Sequence, residues 1–153
     1  MSVSFVLAGP FAIQSVAMLV DELYFHRRRG LGAWERIGHP LDTLTVLACV
    51  GWALFTRPTS GHLAAYAVLA GISCLFVTKD EFVHARRCTA GEHWLHALLF
   101  VLHPLTLACV AIAWRLQGRS SSLPAAQFIA SAGFGLYQLA YWNLPWPKRA
   151  SPR

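Results

Sequence analysis

Five stretches of this chain stay apolar for about the length of a membrane crossing, and nothing constrains its fold more. They cover roughly 3–25, 41–56, 63–84, 94–114 and 123–146. A backbone inside hydrocarbon must satisfy its own polar groups, which only helices and closed barrels do. A spanning helix takes about 20 residues. The second stretch reaches that length only by starting near Pro40, and the third only by including its polar end, 79–84. Composition agrees: 56% of residues are hydrophobic, 13% are charged, and the mean hydropathy is +0.45. An ordinary soluble domain is less apolar. The expectation is an all-α, polytopic membrane bundle of about five transmembrane helices, one integral membrane domain over 1–153. The first stretch has no preceding positive residue and no small-residue cleavage site, so it reads as a retained helix. Cys49, Cys74 and Cys109 sit in apolar runs as small hydrophobes, Cys88 lies in a polar loop, and no CxxC occurs.

The charges orient the bundle. Arg27, Arg28, Arg29 and Arg36 follow the first run, Arg86 and Arg87 the third, and Lys148, Arg149 and Arg153 the last. The opposite side has Arg57, Arg115 and Arg119. The positive-inside rule then puts the N-terminus outside and the C-terminus in the cytoplasm, in a bacterial inner membrane. A net charge of +6 arranged this way speaks for topology and lipid contact, and against nucleic acid.

All seven acids fall at the cytoplasmic helix ends or in their connections: Asp21, Glu22, Glu35, Asp42, Asp80, Glu81 and Glu92. Six of seven histidines lie there or just below: His26, His39, His84, His93, His96 and His103. Only His62 is on the far side. Part of this pattern repeats. "VDELYFHRRR" from Val20 aligns without a gap on "TKDEFVHARR" from Thr78, pairing Glu22 with Asp80 and His26 with His84. "HPLDTLTVLACVGW" from His39 resembles "HPLTLACVAIAW" from His103. Helices one and two thus read as repeated in helices three and four, in parallel sense.

Residues three or four apart share a helix face. Glu22 and His26, Asp80 and His84, Glu81 and His84, Glu92 and His96, and His96 and His103 follow such spacings or their sum. His103 lies about 15 Å deeper than His93 at 1.5 Å per residue, where ionisable groups face the bundle interior. Pro104 should loosen the helix there. Several residues have a second reading. Glu92 also fits a capping box with Thr89, Asp42 a first-turn acid after Pro40, Glu35 a solvated partner of Arg36, and Asp21 a partner of Lys79.

Imidazoles and carboxylates on facing helices make a transition-metal site. The candidate ligands are Glu22, His26, His39, Asp42, Asp80, Glu81, His84, His96 and His103, with Glu92 and His93 open between ligand and cap. Glu81-Phe-Val-His84 is a Glu-x-x-His motif of the kind that meets glutamates of neighbouring helices in di-iron carboxylate bundles. In these intramembrane histidines (His26, His84, His93, His96, His103) and adjacent acids, stretches 21–42 and 80–103 resemble the integral-membrane histidine-rich di-iron oxidases, the desaturases and hydroxylases. The HxxxH and HxxHH boxes of that class are absent. The resemblance implies two iron ions and oxygen-dependent oxidation of a lipid or other apolar substrate, fed by an electron donor protein. Glu81, Asp80 and Tyr137 are then candidate catalytic groups, and Gln138, Tyr141 and Arg86 candidate substrate contacts. Other readings stay open: a zinc hydrolase, a b-type cytochrome with histidine axial pairs, or a non-enzymatic subunit of a membrane complex or homo-oligomer. In the last helix, Gly133 and Gly135 are expected to allow close approach, and Trp142 and Trp146 to form an interfacial belt.

Overall fold

The computed structural model describes residues 3–118 and 122–144. Arg119, Pro145, Trp146, Pro147 and the basic tail lie outside them. Five helices follow one another, with no strand among the described residues. Helix α1 (Val3–Val20) runs on through a π-helical turn, Asp21–His26, into Arg27–Arg29. Helix α2 is Ala33–Phe55. Helix α3 (Ser60–Phe76) continues through a 3-10 turn, Val77–Asp80, into Glu81–Arg87. Helix α4 is Ala90–Gln117 and α5 is Ser122–Asn143.

The all-helical expectation holds. Four helices are long and apolar enough to cross a membrane: Phe5–Arg29, Ala33–Phe55, Ser60–Arg87 and Ala90–Gln117. Helix α5 matches them in length but is diluted by Gln127, Ser131, Gln138 and Asn143. The exterior is apolar, with Phe5, Ile13, Leu75, Leu116 and Ile129 exposed, while glutamates and histidines are buried. Hydrocarbon solvates that outer surface as water does a soluble protein's.

Two boundaries differ from expectation. Helix α2 begins at Ala33, two turns before the apolar run, with Pro40 inside it. Proline removes one backbone donor and leaves the carbonyl four residues earlier without its partner. Here that carbonyl, on Arg36, accepts from Asn143 Nδ2 at 3.3 Å, so α5 takes the place of the missing N–H. Asp42 is consequently not a first-turn acid. Helix α4 likewise runs unbroken past Pro104.

The connections after α1 and α3 are short and lie at one end of the bundle. Gly30, at φ +75°, makes the first of them. Helix α1 packs on α4, and α2 lies between α3 and α5. A Cβ on Gly135 would come within 2.9 Å of Thr43 Cγ2, so α5 seats against α2 at that glycine. Gly133 faces open space instead, contrary to its expected packing role. At the far end Cys49, Val50, Ala53, Tyr66, Leu107, Val110 and Trp114 close an apolar core.

Candidate metal centre

Four helix ends converge where the short connections lie, and each carries an acid followed four residues later by a histidine. The pairs are Glu22/His26, Glu35/His39, Asp80/His84 and Glu92/His96. That spacing puts both side chains on one face. All eight are buried except His39, which is half-buried. The four imidazoles close a ring. Centroids are 4.7 Å apart for His26–His39 and 4.3 Å for His84–His96, with 6.1 Å for His39–His84 and 6.3 Å for His26–His96.

Acids of one helical hairpin approach histidines of the other. Glu35 Oε1 lies 3.6 Å from His84 Nε2, and Glu92 Oε1 lies 3.9 Å from His26 Nε2. These two contacts correspond when Glu35/His39 is matched with Glu92/His96, and not under the sequence alignment of His39 with His103. Asp21 Oδ1 meets His96 Nε2 at 3.1 Å. In an α-helix, residues five apart point to different faces. The π-helical turn over 21–26 brings residue i+5 back over residue i. Asp21 and Glu22 therefore both reach His26, Asp21 at Nε2 (3.2 Å) and Glu22 at Nδ1 (3.4 Å).

Four overlapping groups offer ligand atoms within 4.8 Å of one another. They are Asp21, His26, Glu92 and His96; Glu35, His39 and His84; Glu22, His26 and His39; and His84, Cys88 and His96. The donors suit an ion. His26 Nε2, His84 Nδ1, His84 Nε2 and His96 Nδ1 are buried without a hydrogen-bond partner. His26 Nε2 is near Asp21 but outside hydrogen-bonding geometry. Buried polar atoms are rarely left this way unless something else satisfies them.

Charge points in the same direction. Six carboxylates gather here: Asp21, Glu22, Glu35, Asp42, Asp80 and Glu92. Two cations answer them directly. Arg29 donates to Glu35 Oε1 at 2.7 Å and Glu92 Oε1 at 3.1 Å. Lys79 donates to Asp42 at 2.7 Å and Asp80 at 2.8 Å. With all six ionised, four negative charges would remain, which two divalent ions, or a proton on each imidazole of the ring, would balance. Buried charge without such compensation is strongly destabilising.

The expected residues divide. Glu22, His26, His39, His84 and His96 belong to the groups above. Asp80 sits at the edge, accepting from Trp34 Nε1 at 2.7 Å and lying 3.8 Å from His39. Asp42 is held by Lys79. Glu81 turns away from the ring toward His93, at 3.9 Å, and both are half-exposed. The Glu-x-x-His spacing therefore does not put Glu81 beside the other donors. His103 hydrogen-bonds Ser73 at 3.0 Å and contacts Gln14 at 3.5 Å, deeper in the bundle. Gln138 accepts from Thr43 and reaches Glu22 at 3.5 Å. Tyr137 accepts from Arg27 and stacks on Tyr141, away from the ring, and Arg86 is exposed. Trp142 is no simple belt residue: its Nε1 donates to Glu22 Oε1 at 2.6 Å.

Sequence reasoning passed over Asp21 and Glu35 as ligands and left Glu92 undecided. Thr89 does cap α4, accepting from the Glu92 amide, but the Glu92 carboxylate turns to Arg29. The signal that could have found Glu35 is its four-residue spacing to His39, the same as in the other three pairs.

Beside the ring lies a cavity of about 300 Å³, walled by Phe11, Met18, Val46, Leu99, Phe100 and Phe134 and bordered by His26, His39, His84 and His96. No family model matches the chain, and no curated protein or solved structure matches it.

Proposed function

We propose that the chain is an integral membrane metal-dependent oxidoreductase with a dinuclear, most naturally di-iron, centre at the cytoplasmic end of its bundle. The observation that carries this reading is the ring of four acid–histidine pairs, with unpartnered imidazole nitrogens, beside an apolar cavity. Mixed imidazole and carboxylate donors suit iron, manganese or zinc. The imidazole rings are too close together to favour a macrocycle between facing pairs.

In this reading Asp21, His26, Glu92 and His96 hold one ion and Glu35, His39 and His84 the other, with Glu22 between His26 and His39. Bound there, two irons supply electron transfer and activation of dioxygen. The protein supplies position. Arg29 fixes Glu35 and Glu92, and Trp142 and Gln138 fix Glu22. Orienting partners of this sort tune a metal site. The apolar walls admit a lipid-like substrate from the bilayer and keep water out. The basic segment Arg27–Arg28 faces outward beside Tyr24, Tyr137 and Tyr141, where a soluble electron donor could dock.

The test is metal analysis of the protein purified in mild detergent, with a visible and Mössbauer spectrum. Two irons per chain, coupled and without a haem band, are expected. One tightly bound zinc would replace this reading with hydrolysis, and a Soret band with a cytochrome. No bound metal after growth in metal-replete medium would overturn it.

A further inference from the structure

The cavity has a second polar end. Gln14 on α1, Thr106 on α4 and Gln127 on α5 all line it. Gln127 is 1% exposed and Thr106 6%. Gln14 Oε1, Thr106 Oγ1 and both side-chain atoms of Gln127 have no hydrogen-bond partner. Unpaired amide and hydroxyl groups are costly to leave in an apolar interior. Three helices that independently point such groups into one cavity form a place for something that satisfies them.

We infer that this end is a subsite for an uncharged hydrogen-bonding group at the tip of an elongated apolar ligand, an alcohol or a primary amide. The inference deepens the proposed function by naming its substrate class, and rests on that reading only for the reaction. Three features select the class. The free atoms include donors (Gln127 Nε2, the Thr106 hydroxyl) and acceptors (Gln14 Oε1, Gln127 Oε1), so the guest must both donate and accept. No lysine or arginine lines the cavity among the described residues, and the imidazole beside Gln14, His103, has both ring nitrogens engaged, by Ser73 and by Gln14, so an anionic tip would enter without a free counter-charge. Thr106 is ten residues from His96 along α4, and Gln127 is eleven from Gln138 along α5. At 1.5 Å per residue the subsite lies about 15 Å from the histidine ring. A ligand gripped there extends its hydrocarbon body along the cavity and presents a carbon remote from its polar tip to the centre.

Two photoreactive probes of equal chain length test this on the full chain in lipid nanodiscs: 1-dodecanol and dodecane, each with a mid-chain diazirine. Labelling sites are mapped by peptide mass spectrometry, in metal-loaded and chelator-treated samples. The alcohol should label cavity residues at least about tenfold more than the alkane, the effect of one to two buried hydrogen bonds. Gln127→Leu should erase that preference, and Thr106→Val, which keeps the shape of the wall, should reduce it. Equal labelling by the two probes would overturn the inference and assign the free groups to water. So would an undiminished preference in folded Thr106→Val and Gln127→Leu proteins. Metal content of the same samples is read separately. A preference without metal removes the oxidoreductase and leaves the subsite; metal without a preference does the reverse.

Discussion

The two ends of the bundle are built on opposite terms. At one end Trp114, Tyr66, Val110 and Cys49 pack without charge, and their few polar atoms are spent on backbone: Tyr66 on Leu107 O at 2.7 Å, Trp114 on Thr56 O at 3.2 Å. At the other end six carboxylates and four imidazoles crowd together with two cations. The first arrangement holds the helices together by itself. The second is costly unless something joins it. Proteins concentrate such local violations where they function and compensate elsewhere. Stability and chemistry should therefore separate by position.

The largest expected effect tests the polar end. His84→Ala or His26→Ala should weaken metal binding by more than about 100-fold, since even outer partners of ligands cost 10–100-fold. Metal content after dialysis, with membrane insertion as control, reads this. Trp114→Ala should do the converse. It should destabilise by about 3–5 kcal/mol, as large core truncations do, in detergent unfolding, while the folded fraction keeps its metal. If Trp114→Ala also empties the centre, the two ends are not separable.

Arg29→Gln sharpens the contrast. It strands Glu35 and Glu92 and should cost the metal-free protein about 3–5 kcal/mol, less when ions are bound. Unfolding curves with and without chelator give the difference. Gly135→Ala should cost about 1–3 kcal/mol by overpacking Thr43, again in unfolding, with metal retained if only the α2–α5 seat is strained. The smallest effect belongs to Glu81→Gln. Its half-exposed carboxylate faces His93, so neither stability, within about 0.5 kcal/mol, nor metal content should change.

The bundle was legible because apolar length forces helices, and the polar end because ionisable groups cluster at one membrane face. His26, His84, His96 and Glu22 followed from spacing, and His39 from its place on the cytoplasmic side and its repeated His-Pro. Glu35 did not, because it read as a solvated partner of Arg36; in the structure α2 already begins at Ala33, and Glu35 turns inward to Arg29 and His84. Asp21 was hidden by the π-helical turn, since α-helical geometry points it away from His26. Glu81 misled for the opposite reason, satisfying a motif while facing outward. Local pattern finds residues, and backbone irregularity decides which of them meet.

The cross-contacts Asp21–His96, Glu35–His84 and Glu92–His26 carry a consequence for assembly. Each joins the α1–α2 hairpin to the α3–α4 hairpin. Neither hairpin holds a complete Asp21, His26, Glu92 and His96 set. An ion bound as proposed would tie the two hairpins together at this end. A chain severed at the far-end connection, 56–59, and expressed as two fragments should still reassemble through the far-end core and the α2–α5 seat, and faster when metal is supplied.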